Sequence, residues 1–351
     1  MSTPREGLLL VNLGTPAAPK AGPVRKYLSE FLSDPRVLTV PSAVRYPLLA
    51  TILLRRPAES AKAYQKVWDP ERGSPLLHHG EDLAKAVQEK VGPDVRVELA
   101  MRYQEPSLQD ALKRYNEAGI NRITVFPLFP HYASSSWGSA AQRIFELAGA
   151  FNVVPSLSFV PPYYDHPAFI EAWAAVAGPR LEAAKADKVL LSFHGLPESH
   201  MQDSDPTKAH CLAREDCCAA IVPANRGCYR AQCYATARAL AKRLGLAKDA
   251  YEVCFQSRLG RTPWIKPYTD LRVNALADDG VKRLAVVLPA FVADCLETLE
   301  EIGMRAREDF QARGGEELTM VPSLNSDPAW VDAVVELSKL AGLGAFSHSG
   351  S

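Results

Sequence analysis

His194 combines a residue type and a position that could do chemistry. It directly follows the apolar run 189–193 and precedes Gly195 and Pro197. The glycine permits a sharp backbone turn and the proline ends the strand, so the imidazole is held at a stiff strand end. Histidine accepts protons near neutral pH and, when neutral, binds metal ions. We therefore expect His194 to be a proton acceptor or a metal ligand. A histidine that only caps the turn is the alternative.

Three acidic residues form a second group: Asp294, Glu297 and Glu301 lie at the start of a predicted helix that runs to Gly314. Their spacing of three and four residues places them on one helix face. The helix dipole also favours acids at a helix start, so a solvated acidic face is the alternative interpretation. Imidazole and carboxylate together suit a divalent first-row cation such as iron. Closed structural zinc needs four cysteine or histidine ligands, so an open metal site, typical of metal transfer, is favoured.

Cysteines form the third group. Five of the seven fall within one short stretch: Cys211, Cys217, Cys218, Cys228 and Cys233. In a reducing compartment such clustering favours metal or redox chemistry over disulfide bonds. We therefore expect a metal or redox site in this stretch.

The elements that must position these groups are short apolar strands alternating with alanine-rich helices, which predicts an α/β fold with parallel sheets. Three apolar runs of the first half have counterparts in the same order in the second: 8–16 with 189–197, 95–103 with 251–259, and 122–127 with 283–289. We expect two similar Rossmann-like domains, each a parallel sheet flanked by helices, facing a central cleft. Chance similarity among short apolar strands is the alternative to duplication.

The predicted domains comprise residues 1–165 and 166–325, followed by a C-terminal helix and a disordered tail at 326–351. In open parallel sheets, ligands bind beyond the carboxyl ends of the strands. The polar residues expected at those ends are Asn12, Arg102, His131, His194, Arg258 and Asp294.

Composition narrows the function classes. Lysine plus arginine equals aspartate plus glutamate at 40 each, so the net charge gives no support for a nucleic-acid partner. The polar first residues do not resemble a signal peptide, and no apolar run reaches the ~20 residues of a membrane span, which predicts a cytoplasmic protein. The sequence contains neither a phosphate-binding glycine loop nor a nucleophile elbow, which disfavours ATP-driven and serine-hydrolase chemistry.

The apolar segment 42–57 is either a buried helix or an exposed lip that contacts a membrane or an apolar substrate.

Two motifs closely resemble the ferrochelatase family: Leu190-Leu-Ser-Phe-His-Gly-Leu-Pro197 and Leu288-Pro-Ala-Phe-Val-Ala-Asp-Cys-Leu-Glu-Thr-Leu-Glu-Glu301. Shorter matches occur in family order: Leu10-Val-Asn-Leu-Gly-Thr-Pro16, Arg102-Tyr103, Phe255-Gln-Ser-Arg258 and Pro263-Trp264. The resemblance implies insertion of Fe²⁺ into protoporphyrin IX, the last step of haem synthesis. It implies that His194 and Glu297 bind the metal and remove pyrrole protons, while Glu301 and Asp294 relay protons or guide iron.

The resemblance also implies porphyrin contacts. Some residues fall where the family binds the propionates or the ring edge of the porphyrin, and others belong to a matched motif. They are Arg56, Ser74, Arg102, Tyr103 and Trp264. The segment 42–57 resembles the family's flexible lip, which implies peripheral membrane contact. Relatives that use coproporphyrin carry a tyrosine where Leu13 stands, so Leu13 favours protoporphyrin. The alternatives are a coproporphyrin III ferrochelatase, a chelatase of another tetrapyrrole, and a non-catalytic haem- or iron-binding protein.

The chain departs from most relatives in the segment 207–233, where an insertion carries four extra cysteines. It resembles the segment through which some microbial ferrochelatases bind a 2Fe–2S cluster, which needs four thiolates. Five thiols are available, and we expect the adjacent Cys217 and Cys218 to supply one ligand between them, so the expected ligands are Cys211, Cys228 and Cys233 plus one of that pair. Structural zinc and free thiols are the alternatives. Neither porphyrin nor Fe²⁺ changes oxidation state during insertion, so we expect the cluster to be structural or a stability sensor.

Overall fold

The structure, a computed structural model, describes residues 6–258, 260 and 262–344. The predicted disordered tail beyond Gly344 lies outside the described residues. In the described part of the chain, no helix is both long enough and apolar enough to cross a membrane.

Two four-stranded parallel sheets form the framework of the described residues. Their strands are β1 (Glu6–Gly14), β2 (Val95–Tyr103), β3 (Arg122–Pro127), β4 (Ser156–Phe159), β5 (Lys188–His194), β6 (Tyr251–Gln256), β7 (Arg283–Val287) and β8 (Glu317–Met320). The sheets have the orders β2-β1-β3-β4 and β6-β5-β7-β8. The central strands are almost continuously apolar and buried, as expected where helices cover both faces. The predicted α/β class with two similar parallel sheets is confirmed.

Helices connect the strands. They are α1 (Ala21–Ser33), α2 (Ser42–Val67), α3 (Pro75–Val91), α4 (Leu108–Glu117), α5 (Ser139–Ala148), α6 (Pro167–Ala184), α7 (Glu198–Ser204), α8 (Tyr229–Arg243), α9 (Thr269–Asp278), α10 (Leu296–Leu299), α11 (Arg307–Ala312) and α12 (Pro328–Leu340). Wider π-helical turns occur at Ser134–Gly138 and Glu301–Ala306. The helix predicted from Asp294 to Gly314 is therefore divided into α10, a π-helical turn and α11.

The chain divides into two compact units. Of the described residues, unit 1 contains 6–129, 134–162 and 331–344, and unit 2 contains 130–133 and 163–330. Each unit has its own core, in which branched side chains of the central strands pack against helices. Burying one such side chain contributes about 1.5–3 kcal/mol, so each core supports its own sheet.

The strand orders fix where a ligand is expected. In each sheet the chain moves from the first strand to one neighbour and then returns to the other side, which creates a switch point between β1 and β3 and another between β5 and β7. The carboxyl end of β5 is His194, and the segment after β7 leads to Asp294 and Glu297. The ring of Phe291 in that segment lies 6.1 Å from the His194 ring. The histidine and the acidic segment therefore meet at the switch point of unit 2.

Candidate active site

His194 presents one ring nitrogen for chemistry. Nδ1 lies 2.5 Å from the carbonyl oxygen of Gly195, so Nδ1 must carry the proton in the neutral ring. Among the described residues, no group forms a hydrogen bond with Nε2. The side chain is half-buried, while Phe193 before it is fully buried. The lone pair of Nε2 is thus available to accept a proton or to bind a metal ion.

Gly195 is required by close backbone contact. Its N–H donates to the carbonyl oxygen of Gln256 at 2.8 Å. A Cβ at this position would lie 2.8 Å from that oxygen and 3.3 Å from Cε3 of Trp264. The close approach brings Trp264, one of the expected porphyrin contacts, to the His194 turn.

Gln256 connects the histidine turn to the acidic segment. It is 3% exposed. Its Oε1 accepts from the Ser192 hydroxyl at 2.8 Å, and its Nε2 donates to the carbonyl oxygen of Glu297 at 2.7 Å. Because its backbone carbonyl also binds the N–H of Gly195, one buried residue links the turn after His194 to the backbone of Glu297.

Glu301 is held by Ser257, the residue after β6. The backbone N–H of Ser257 donates to Oε1 at 2.9 Å, and the Ser257 hydroxyl donates to Oε2. Ser257 adopts a φ of 64°, in the left-handed region that non-glycine residues rarely occupy. Burial raises the pKa of Glu301 and the charge of Glu297 raises it further, although the Ser257 hydrogen bonds oppose both. Glu301 therefore binds a proton more readily than an ordinary glutamate.

Asp294 lies outside the helix that was predicted to carry it. Its Oδ1 accepts from the Thr298 hydroxyl and the Ser323 N–H, both at 3.1 Å, and its Oδ2 accepts from Asn325 at 2.9 Å. The residue is 5% exposed. These bonds tie the start of α10 to the segment after β8, and a role in proton relay or iron guidance stays a prediction.

His131, expected at a strand end, is instead buried beneath β5. Its Nε2 lies 2.8 Å from the Thr236 hydroxyl, and its ring packs edge-on against Phe193 and Tyr229. Burial lowers the pKa of His131 to about 3. It therefore stays neutral at pH 7 and supports the strand that carries His194.

Arg102 and Tyr103 form a buried network in unit 1. Nη2 of Arg102 lies 2.7 Å from Oδ2 of Asp34, and the Tyr103 hydroxyl donates to the same oxygen at 2.9 Å. Ser139 donates to it as well, at 2.6 Å. These contacts place α1, β2 and α5 around one carboxylate. The contact of Arg102 and Tyr103 with a porphyrin stays a prediction.

The other expected porphyrin contacts of unit 1 differ in exposure. Leu13 is partly exposed at the carboxyl end of β1. Ser74 is buried, and its hydroxyl lies 2.7 Å from that of Thr15. Arg56 is exposed on α2, where it pairs with Glu59 at 3.6 Å. Leu13 and Arg56 are therefore accessible to a ligand of unit 1, whereas Ser74 positions the end of β1.

The five clustered cysteines are all buried and form no disulfide bond. The sulfurs of Cys217 and Cys218 lie 3.8 Å apart, and Cys211 interacts directly with Cys228. Cys233 instead lies beside Tyr229, whose ring packs edge-on against His131. Burial raises the pKa of the Cys218 thiol to about 12. The Cys218 thiol is thus neutral at pH 7 unless a metal displaces its proton.

The sulfurs form pairs. Among the described residues, one group of three metal-binding side chains has all its ligand atoms within 4.8 Å of one another, and it consists of His78, His79 and Asp82. No three cysteine sulfurs therefore lie within 4.8 Å of one another. Tetrahedral zinc, with Zn–S bonds of about 2.3 Å, requires four mutually close sulfurs. Two pairs suit a cluster of two irons with two thiolates on each.

Hydrogen bonds pre-order the insertion. Asp205 accepts from the backbone N–H groups of Thr207, His210 and Cys211 at 2.8–2.9 Å. The amide of Asn225 donates to the carbonyl oxygens of Cys217 and Ala220, each at 2.8 Å. The loop therefore has a defined conformation that holds its cysteines inward.

The sequence pattern did not predict that His78, His79 and Asp82 lie close together on α3. Arg72 donates to both carboxylate oxygens of Asp82, at 2.7 and 2.9 Å. A guanidinium that occupies both oxygens competes with a cation there, so we assign no metal to this group.

Comparison with known proteins decides the family. The ferrochelatase family profile matches residues 5–341. The chain belongs to the ferrochelatase family. A protein of Stutzerimonas stutzeri named ferrochelatase is 48% identical over 340 residues, which cover 96% of this chain and 98% of that protein. A ferrochelatase of Azotobacter vinelandii is 47% identical over 338 residues, covering 95% and 98% of the two chains.

Solved structures show the same fold at low identity. The sirohydrochlorin chelatase SirB from Bacillus subtilis, in complex with cobalt, matches with a TM-score of 0.54 and 11% identity over 98% of each chain. CbiX, described as the terminal enzyme of sirohaem biosynthesis in denitrifying bacteria, matches with a TM-score of 0.50 and 14% identity, covering 96% and 99%. The family membership confirms the resemblance seen in the motifs around His194 and Glu297.

Proposed function

We propose that this chain inserts Fe²⁺ into protoporphyrin IX, giving protohaem and two protons, with His194 and Glu297 at the reacting centre. The chain is an enzyme that inserts iron into a porphyrin for haem synthesis, as its family membership supports. The single observation that carries the residue assignment is the half-buried His194. Its Nε2 has no protein partner among the described residues, and its ring lies 6.1 Å from that of Phe291, in the segment that leads to Glu297.

The reaction must remove two pyrrole protons while Fe²⁺ exchanges water for porphyrin nitrogens. We assign proton acceptance to Nε2 of His194, because Nδ1 already donates to the Gly195 carbonyl oxygen. Glu297 is held by Gln256 at the same turn, and Glu301 follows it. Burial raises the pKa of Glu301, so it takes up a proton more readily than an ordinary glutamate and can return it to solvent. Glu297 is then the carboxylate that meets the incoming cation.

We assign protoporphyrin over coproporphyrin because of Leu13. An apolar side chain at the carboxyl end of β1 matches the apolar edge of protoporphyrin, whereas coproporphyrin carries additional carboxylates. The partly exposed position of Leu13 is compatible with contact to a ligand.

Helix α2 is the proposed contact with a membrane surface. It carries the predicted lip 42–57, and its exposed apolar side chains are Val44, Tyr46, Leu48 and Leu54. Leu54 is 74% exposed and is followed by two arginines, which suit a surface of anionic lipids. Binding of the chain to vesicles with phosphatidylserine, lost in Leu54→Asp, tests this assignment.

We propose a 2Fe–2S cluster in the insertion. The burial of five cysteines, the pairs 217–218 and 211–228, and the pre-ordered loop support it. Of the ligands expected from the sequence we keep Cys211 and Cys228. Because the sulfurs of Cys217 and Cys218 lie 3.8 Å apart, we propose both of them as ligands instead of one of them with Cys233, which lies beside Tyr229. When bound, the cluster crosslinks the insertion to the start of α8 and stabilises it.

Anaerobic incubation of the purified protein with protoporphyrin IX and Fe²⁺, followed by the porphyrin absorption spectrum, tests the activity. We expect conversion to haem in the wild-type chain and none in His194→Ala. Conversion of coproporphyrin III in preference to protoporphyrin would overturn the substrate assignment. Normal turnover in His194→Ala would overturn the residue assignment.

A further inference from the structure

Arg230 is a half-buried cation beside the cysteine cluster. It is the second residue of α8. Its Nη1 donates to the sulfur of Cys218 at 3.2 Å and to that of Cys217 at 3.8 Å. Its Nη2 reaches the Tyr234 hydroxyl at 3.4 Å, and the guanidinium lies 4.9 Å from the centre of the Tyr234 ring. The arginine therefore contacts one specific pair of sulfurs.

This cation has no carboxylate partner. Among the described residues, no acidic side chain lies within 4.0 Å of Arg230, and its Nε is buried without a hydrogen-bond partner. A charge that is partly withdrawn from water is stabilised by an opposite charge next to it. The groups that can supply negative charge here are the thiolates of Cys217 and Cys218. A bound metal group holds both sulfurs as thiolates, so the negative charge beside Arg230 is complete when the cluster is present.

We propose that Arg230 is the counter-charge of the cysteine site, that it stabilises the bound cluster through Cys217 and Cys218, and that it raises the cluster's reduction potential. The inference rests on the proposed cluster. A 2Fe–2S group with four thiolates is anionic and gains one more negative charge when it accepts an electron. A fixed cation beside two of its sulfurs stabilises the reduced form more than the oxidised form, as hydrogen bonds and charge near cluster sulfurs do in general.

Three variants separate charge from packing. Arg230→Gln removes the charge and keeps a polar side chain of moderate length. Arg230→Lys keeps the charge but loses the planar fork. Arg238→Gln is the matched control, because Nη1 of Arg238 donates to the backbone carbonyl oxygen of the same Cys218 at 2.8 Å and contacts no sulfur.

The full-length proteins are purified without oxygen, their iron and acid-labile sulfide are measured, and their midpoint potentials are determined optically during titration with dithionite. Arg230→Gln should lower the equilibrium constant for one-electron reduction at least tenfold, which is a fall of about 59 mV. Arg230→Lys should retain most of the wild-type potential, and Arg238→Gln should retain all of it. An unchanged potential in Arg230→Gln, or an equal change in Arg238→Gln, overturns the inference.

Loss of the cluster is also informative. If Arg230→Gln does not retain iron after reconstitution, retention in Arg230→Lys and Arg238→Gln supports the counter-charge. Equal loss in all three variants overturns it. A wild-type chain that contains no iron and sulfide overturns the proposed cluster, and the inference with it. A wild-type chain with a cluster but no effect of Arg230 overturns the inference alone.

Discussion

Replacing Ser257 by alanine tests whether Glu301 controls the pH dependence of metal insertion. The substitution removes the hydroxyl that donates to Oε2 of Glu301 and keeps the backbone N–H that donates to Oε1 at 2.9 Å. Alanine retains the Cβ of serine, so the backbone at φ 64° is under the same strain as before. The variant therefore isolates one hydrogen bond to one carboxylate.

The size of the effect follows from that bond. A hydrogen bond to a charged group contributes about 1.5–3 kcal/mol, and one pKa unit corresponds to about 1.4 kcal/mol. Loss of a donor disfavours the ionised carboxylate, so the pKa of Glu301, which burial already raises, should rise by a further one to two units, roughly. If ionised Glu301 accepts a proton during turnover, the acid limb of kcat/KM moves to higher pH by the same amount.

The assay is the initial rate of anaerobic Fe²⁺ insertion into protoporphyrin IX across neutral and mildly acidic pH. Ser257→Gly serves as the control, because it also removes the hydroxyl but relieves the strain of the positive φ. Both variants should shift the acid limb of kcat/KM by the same amount. Ser257→Gly should be more resistant to thermal unfolding than Ser257→Ala. An acid limb that stays at its wild-type position in both folded variants would refute the assignment, and would give that limb to another group.

Four further predictions can be checked with purified protein. His194→Ala should reduce iron insertion to the uncatalysed level while thermal unfolding and porphyrin binding, followed by fluorescence quenching, stay close to wild type. Cys211→Ser and Cys228→Ser should each remove cluster absorption and lower the thermal midpoint, whereas Cys254→Ser, the same change at a buried site outside the insertion, should keep the absorption. Asp294→Asn replaces one of two acceptor oxygens by a donor, so at least one of the three donors around it loses its acceptor. Chemical denaturation should show a loss of about 1–3 kcal/mol, and an unchanged unfolding free energy would speak against its structural role. Burial alone would raise the pKa of Asp34, but hydrogen bonds from Ser139, Arg36 and Tyr103 and the charge of Arg102 lower it. The ionised carboxylate therefore stabilises the fold fully above its unfolded pKa of about 3.9, and this stabilisation is lost as the pH falls through the lower pKa of the folded state. Asp34→Asn should accordingly make the unfolding free energy depend less on pH in the acid range.

The sequence predicts the fold and the position of His194 well, because both depend on local patterns. Apolar runs of strand length in repeated order define the two sheets, and a histidine followed by glycine marks the end of one strand. The contacts that give the site its chemistry are not local. Ser257 lies 44 residues from Glu301 in the sequence, and no hydrophobic periodicity predicts their hydrogen bonds.

The acidic segment shows the limit of periodicity most clearly. A spacing of three and four residues assumes one continuous helix, in which Asp294 and Glu301 share a face. The structure begins α10 after Asp294 and inserts a π-helical turn from Glu301. The carboxylate of Asp294 is bound by the segment after β8, whereas that of Glu301 is bound by the residue after β6. Such turns depend on tertiary contacts, which cannot be predicted from the pattern of a single sequence.

The duplicated topology explains where this chain acquired its special features. The predicted lip belongs to α2, in the connection from β1 to β2, and the cysteine insertion lies in the corresponding connection from β5 to β6. Each connection leaves the carboxyl end of its central strand, which bears Leu13 in one unit and His194 in the other. An addition at this point starts beside the ligand-binding edge without disturbing any strand pair. In unit 2 the return of the connection places Tyr229, directly after Cys228, against His131, whose ring also packs against Phe193 next to His194. A group that fixes the cysteines therefore also fixes the first turn of α8, and through Tyr229 it restrains the strand end that carries the histidine.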